Sequence, residues 1–310
     1  MSLYNKSRED AHPSRDGHLL KRNTNHKAKT LKNYTPYLLC LPAILYLAIF
    51  IGYPLIQAFV LTFTKPSVGF TLDNLKSVIT SQGFKEALGN TLLISVIVIP
   101  LQIVLALFLS LFVNTRFKGH MFLIYVITIP LALSEITAGL MSYSIFSSMG
   151  FLNKLLINLN LIDKPIYFFG YTYKLREFIV IILSELWRAT PLVFVILLAG
   201  LQSIDKEYIE AAEVDGATWW EKLTKIIIPL LQPSLLSALL LRTTFAFQVF
   251  GNIWILVGRD IPVLAGEAYY WQTEIRNANI ASAYAIIIAI LTIIFAFLYI
   301  KTLESSYLES

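Results

Sequence analysis

Four ionisable side chains stand inside long apolar stretches of this chain: Glu135, Glu185, Arg188 and Arg242. A charge at the centre of a membrane-spanning helix costs about 2.5 to 3.5 kcal/mol on insertion scales, so each one demands a use. Glu185, Arg188, Ala189 and Leu192 fall at i, i+3, i+4 and i+7, one face of a helix, and Arg242, Phe245, Ala246 and Val249 repeat that spacing. Two uses fit. Guanidinium donors beside the Phe245 ring would suit the hydroxyls and apolar face of a polyol in a cavity within the membrane. Equally, Glu185 and Arg188 would neutralise each other one turn apart, with Arg242 paired to Glu135 or a carbonyl. Covalent chemistry finds no constellation. His12, His18, His26 and His120 all lie outside the apolar stretches, Cys40 is the one cysteine, and no nucleophile, base and metal set is visible. No catalytic or metal-ligating residue is therefore assigned, and the chain is not expected to be an enzyme.

A second group of residues is acidic and small: Glu210-Ala211-Ala212-Glu213-Val214-Asp215-Gly216-Ala217, followed by Trp219, Trp220 and Ile226-Ile227-Ile228-Pro229. Asp205 is placed to N-cap a short helix over 206–213 that presents Ala211 and Ala212 as a close-approach surface. Asp215-Gly216 permits a sharp turn, and a second helix runs from about Ala217 through Leu223 toward Pro229. Such a loop is built either to be gripped by another protein or to lie as an amphipathic connector, with Trp219 and Trp220 anchored at the membrane surface.

The elements that must position these residues are membrane spans. Hydrophobic residues make up 56% of the chain, charged residues 15%, and the mean hydropathy is +0.65, outside the soluble range. Six windows of the ~20 apolar residues needed to cross a bilayer lie at about 37–63, 88–113, 121–144, 178–201, 230–257 and 280–303. The fold class is all-α, a polytopic membrane bundle of six transmembrane helices. At ~1.5 Å per residue, Arg188 and Arg242 sit ~15 and ~18 Å into their spans, near the midplane.

The tail before Tyr37 carries Lys6, Arg8, Arg15, Lys21, Arg22, Lys27, Lys29 and Lys32, and the positive-inside rule places it in the cytoplasm. An even number of spans returns the C-terminus to the same side, which makes the 205–225 loop between spans four and five cytoplasmic. The expected layout is a basic tail (1–36), a first span with an outer loop (37–87), the remaining core (88–303) and a cytoplasmic C-terminus (304–310). The protein is expected in the cell membrane, with lipid around it. Tyr269, Tyr270 and Trp271 read as interface-belt aromatics or as contacts for an outside protein.

Glu-Ala-Ala, two variable positions, Asp-Gly-Ala and a closing Ile-x-x-Pro resemble the signature loop of permease subunits in binding-protein-dependent ABC importers. Trp187-Arg188-Ala189-Thr190-Pro191 and Leu198-Ala199-Gly200-Leu201-Gln202-Ser203-Ile204 are similar to the approach to that loop in the carbohydrate-uptake branch, which holds maltose, trehalose and glycerol-phosphate permeases. Tyr53-Pro54, Asn90-Thr91 and Gly150-Phe151-Leu152-Asn153 fit the same pattern. The resemblance covers most of the chain from Tyr37 onward. Leu223 stands where the family usually has Phe, and Gly258-Arg259-Asp260-Ile261-Pro262 replaces a common Gly-Gly-Pro turn.

The resemblance implies that Glu210, Ala211, Ala212, Asp215, Gly216 and Ala217 dock on an ATPase subunit and transmit its closure. This chain has no Gly-x-x-x-x-Gly-Lys-Ser/Thr phosphate loop, so ATP and Mg would belong to that partner and the chain itself would carry no cofactor. The implied partners are a second permease, two ATPase subunits, an extracytoplasmic sugar-binding protein and the sugar; no nucleic acid is expected. In maltose-type members the sugar is held midway through the membrane, and Glu185, Arg188, Ala189, Leu192, Arg242, Phe245, Ala246 and Val249 match those positions by ungapped spacing. A di- or oligosaccharide importer is the reading. The alternatives are a permease for another polyol, such as a glycerol phosphate that Arg188 and Arg242 would serve, and a secondary transporter, for which no convincing internal repeat is visible.

Overall fold

The computed structural model describes residues 36–65 and 68–308. The basic tail expected at 1–36 lies outside them except for Pro36, as do His12, His18 and His26. By backbone contacts the chain divides into two compact units, residues 1–57 and 58–310.

The described part of the first unit belongs to helix α1 (Pro36–Phe63), which is long and apolar enough to cross a membrane and carries no buried residue in its most apolar window. A π turn occupies Ala48–Gly52, two residues before Pro54. Proline has no N–H and its ring strikes the carbonyl four residues back, here Phe50, so widening that turn admits the proline without breaking the helix. The same device recurs in the second unit, where a π turn at Leu223–Ile227 precedes Pro229.

In the second unit the end of α1 is tied down by two amides. Asn74 donates to the carbonyls of Leu61, Thr62 and Thr64, and Asn279 donates to those of Leu61 and Thr64. A two-stranded antiparallel pair, β1 (Thr64–Lys65) with β2 (Gly69–Phe70), leads to α2 (Asp73–Thr80). The long helix α3 (Gln82–Asn114) starts on a Ser81 cap and holds Pro100 in its middle.

Next come α4 (His120–Thr128), a 3-10 turn at Ile129–Ala132, α5 (Glu135–Phe146) and α6 (Phe151–Asn158). Helix α7 (Lys174–Gln202) is followed by the loop helices α8 (Lys206–Val214), α9 (Trp219–Lys222) and α10 (Ile228–Leu230). The chain closes with α11 (Gln232–Gln248), α12 (Gly251–Val257), α13 (Leu264–Thr273) and α14 (Ala278–Leu308).

Four helices are long and apolar enough to span straight through: α1, α3, the helical stretch Tyr171–Gln202 that ends in α7, and α14. The third and fifth spans, expected as continuous, are broken. His120–Ala132 and Glu135–Asn158 meet at 105° inside the expected third span, while Trp219–Leu230 meets Gln232–Gln248 at 66° at the entry to the expected fifth, and six spans result only if each bent pair counts as one. The third breaks where Pro130 enters a 3-10 turn, Leu133 becomes extended and Ser134 caps a new helix by accepting from the Thr137 N–H. The fifth, expected to run to 257, stops at Val249, which is extended, before α12 begins afresh.

Helix α7 is the central element: half of its most apolar window is buried, against 33% for α3 and 22% for α14. It lies along α3, with α11 against both. Three apolar clusters fill the bundle. One joins Ile94 and Val98 to Val180, Ile181, Val249 and Ile253; a second joins Ala106 and Val113 to Val193, Phe194, Leu197 and Leu231; a third joins Phe84 and Phe247 to Leu264 and Tyr284. Polar residues at the helix ends fasten the loops. Asn90 donates to the Pro262 carbonyl and Thr91 accepts from the Leu264 N–H, fixing the approach to α13. Asn153 bonds both ways with the Ile166 backbone and staples the long loop ahead of α7.

Candidate functional site

The intramembrane charges converge. Glu185, 1% exposed on α7, is the hub. Its Oε1 accepts from Arg188 Nε at 3.1 Å and from Asn252 Nδ2 at 2.9 Å, and its Oε2 accepts from Arg188 Nη2 at 2.9 Å and lies 3.8 Å from Arg242 Nη2. Arg242, from α11, gives its Nε to Gln102 Oε1 at 2.6 Å, and Gln102, from α3, gives its own Nε2 to the Glu185 carbonyl. A hydroxyl relay extends the cluster: Ser184 donates to Asn252 Oδ1 at 3.0 Å and lies 2.8 Å from the Ser142 hydroxyl. Helices α3, α5, α7, α11 and α12 each contribute a side chain. A charge that would be costly alone is tolerable when its hydrogen bonds are all made, and every oxygen of Glu185 is used.

Glu135, the first residue of α5, closes the cluster from the cavity side. Its Oε1 lies 3.3 Å from Arg188 Nη2, and its Oε2 accepts from the Gly251 N–H at 3.0 Å and more loosely from that of Phe250 at 3.5 Å. It thus satisfies backbone donors that the break in the fifth span leaves open. Gly251 is required here because a Cβ would come within 3.1 Å of Glu135 Cβ.

A cavity of about 330 Å³ opens against this cluster, lined by Arg188, Ala189, Leu192, Arg242 and Phe245 together with Pro130, Leu131, Leu133 and Glu135. Small-molecule sites run from roughly 300 to 1,000 Å³, so it can hold a ligand of modest size. Of the eight residues taken from helical spacing, five line it. Glu185 lies behind the guanidinium groups, while Ala246 and Val249 are buried in packing, Val249 within the cluster of Ile94 and Ile253. Sequence spacing missed Gln102, Ser184 and Asn252, and it offered Glu135 as a partner for Arg242, whereas Glu135 pairs with Arg188 and Arg242 with Glu185 and Gln102. The available signal was a run of amides and hydroxyls in otherwise apolar helices. A second cavity, of about 420 Å³, lies between α3, α11 and α14 and is walled almost wholly by aliphatic and aromatic side chains. No group of three or more His, Cys, Asp or Glu that could hold a metal ion occurs among the described residues.

The acidic loop has a defined shape. Helix α8 ends in a left-handed Gly216 at φ +78°, with Gly216 N–H bonded to the Glu213 carbonyl and Ala217 N–H to that of Ala212, the paired bonds of a Schellman close. Thr218 then opens α9 with a full capping box to Glu221, and Lys222 Nζ reaches Glu213 Oε1 at 2.6 Å, locking the two loop helices together. Asp205 occupies the N-cap of α8 but makes no side-chain cap bond. Ala212 is buried and Ala211 exposed, and the Glu210 carboxylate has no partner among the described residues. Val214 is 88% exposed, with Trp219 and Trp220 above 60%. The turn thus carries an exposed apolar rim of Val214, Trp219 and Trp220.

Comparison with known proteins places these features in a family. The model describing the binding-protein-dependent transport system inner membrane component matches residues 103–303. The trehalose/maltose transport system permease protein MalF of Thermococcus litoralis is 30% identical over 295 residues, covering 90% of this chain and 97% of that protein. The trehalose transport system permease protein SugA of Mycobacterium tuberculosis is 28% identical over 233 residues, covering 74% of this chain and 73% of that one. Among solved structures, a chain of a bacterial ABC transporter involved in the import of the acidic polysaccharide alginate superposes with a TM-score of 0.76, at 24% identity over 90% of this chain and 99% of that chain. That last likeness is one of fold.

Proposed function

We propose, from the premise that this chain belongs to the binding-protein-dependent transport system inner membrane components, that it is the permease subunit through which an ATP-driven importer moves a di- or oligosaccharide into the cytoplasm. The observation that carries the sugar reading is the cavity that Arg188, Arg242 and Glu135 line together with Phe245. Guanidinium donors and a carboxylate acceptor suit hydroxyl groups, and an aromatic face suits the C–H face of a pyranose. The names of the trehalose and maltose relatives support the same assignment.

The cavity is half a pathway: a second permease supplies the other wall, and an extracytoplasmic binding protein delivers the sugar. Two ATPase subunits bind ATP and Mg, which this chain does not. The loop from Glu210 to Ala217 faces them from the cytoplasmic side, where the basic tail also places both termini. Closure of the ATPases pulls on the locked pair α8 and α9. Motion then reaches α7 and α11, the helices on either side of the loop, and the cavity changes the side to which it opens. The breaks at Leu133–Ser134 and Val249–Phe250 are where the bent spans can hinge, because no continuous helix resists there.

The test is ATP hydrolysis by the complex reconstituted with its partner permease, ATPases and binding protein, offered a panel of sugars. One sugar should stimulate hydrolysis, and Glu210→Ala and Gly216→Pro should each reduce that stimulation at least about tenfold. Solute movement by this chain without ATP, with both variants silent, would refute the reading.

A further inference from the structure

We propose that Glu135 sets the net charge of the cavity to zero and thereby selects neutral saccharides against anionic ones; this rests on the sugar-permease reading above. Two guanidinium groups facing a cavity would by themselves attract a uronate or a phosphorylated polyol. Here two carboxylates balance the two charges: Arg188 pairs with both Glu185 and Glu135, and Arg242 lies 3.8 Å from Glu185.

The donor edge of Arg188 that an anion would need is also already engaged. A carboxylate or phosphate binds a guanidinium best through two parallel N–H bonds. The Nε and Nη2 edge of Arg188 is taken by Glu185, with Glu135 sharing Nη2, and Nε of Arg242 is taken by Gln102. What remains without a hydrogen bond among the described residues is Nη1 of Arg188 and the two terminal nitrogens of Arg242, whose Nη2 lies 3.8 Å from Glu185 Oε2 and so already faces a carboxylate. Single N–H donors suit hydroxyl oxygens. Glu135 offers the complement, an acceptor that only a donor can meet. A sugar hydroxyl does both, whereas an ionised carboxylate or phosphate only accepts and would confront a fixed negative charge.

That charge cannot swing aside. Glu135 Oε2 is held by the Gly251 N–H, its stem packs within 3.1 Å of where a Cβ on Gly251 would stand, and it occupies the first turn of α5, where a helix favours a carboxylate. With its side chain 36% exposed, it is the one acidic group of the cluster open to the cavity; that of Glu185 is 2% exposed.

The measurement is equilibrium binding of maltotriose and trigalacturonate to the complete complex in nanodiscs, for wild type, Glu135→Gln and Glu135→Asp, with assembly of each checked by gel filtration. Glutamine keeps an oxygen for the Gly251 N–H and removes the charge; aspartate keeps the charge. Wild type should prefer maltotriose, and Glu135→Gln should move the ratio toward trigalacturonate by at least about tenfold, the scale of one repulsion across roughly 10 Å at an effective dielectric near 20. Glu135→Asp should keep the wild-type preference. A ratio unchanged within about twofold in Glu135→Gln, or a wild type that binds both equally, overturns the inference and leaves the permease reading standing. Binding of neither sugar to wild type removes the cavity reading and the inference together.

Discussion

Glu185 carries more of the site than any side chain exposed to the cavity. Two arginines from different helices and the amide of Asn252 converge on its carboxylate. Removing it would strand two guanidinium groups in the bundle interior, and breaking a buried pair in this way typically costs about 3 to 5 kcal/mol. Glu185→Ala should therefore lower the thermal unfolding midpoint of the purified complex and its folded yield by that margin, whereas Leu192→Ala, which only enlarges the cavity wall, should leave assembly intact. At this scale the sequence was partly legible. Glu185 and Arg188 stand one turn apart, so their pairing could be read from spacing. Gln102 and Asn252 could not, because an uncharged amide in an apolar run gives no sign of its partner 83 or 67 positions away. Internal pairing is seen for Glu185 with Arg188, while Glu135 pairs with Arg188 rather than with Arg242, and Arg188, Arg242 and Glu135 also line the cavity.

Helix α7 meets α11 by way of a glycine. A Cβ on Gly200 would come to 2.7 Å from Ser234 Cβ and 2.8 Å from Leu231 Cδ1, too close for either helix to yield locally. Gly200→Ala should force the two helices apart and cost about 1 to 3 kcal/mol, the usual range for overpacking. Thermal unfolding of the complex checks it, and Ser234→Ala combined with Gly200→Ala should recover part of the loss by removing the nearest obstructing oxygen. The all-helical, polytopic character was legible, since hydropathy needs only length and apolar content. The breaks were not. Pro130 was visible, yet the third span was not expected to bend, because lipid-embedded helices often carry prolines when neighbours satisfy the freed carbonyls. At Val249–Phe250 no proline marks the interruption, and Gly251-Asn252, which follow it at once, sit inside a stretch apolar enough for hydropathy to pass over them. Counting helical spacing through that point carried Val249 onto the cavity face, when the chain has in fact left the helix and turned it into the core.

Across the whole molecule the buried cluster is assembled from positions 102, 135, 185, 188, 242 and 252, so it spans the chain from the second helix to the end of the fifth. Such a cluster cannot form within any one span and exists only when the bundle has closed. This has a consequence for how the protein is made. Chains enter the membrane from the N-terminus onward, and Arg242 is the last charge of the four to emerge. When its segment leaves the ribosome, Gln102 and Glu185 are already in place to receive it, which offsets the roughly 2.5 to 3.5 kcal/mol that an arginine at mid-span costs. Segment 232–248 should then insert poorly when expressed alone, well behind the preceding helices, and poorly again behind helices carrying Glu185→Ala, as read by the glycosylation of a site engineered just beyond it. Equal insertion in all three contexts would mean that the arginine is accommodated by lipid rather than by the order of synthesis.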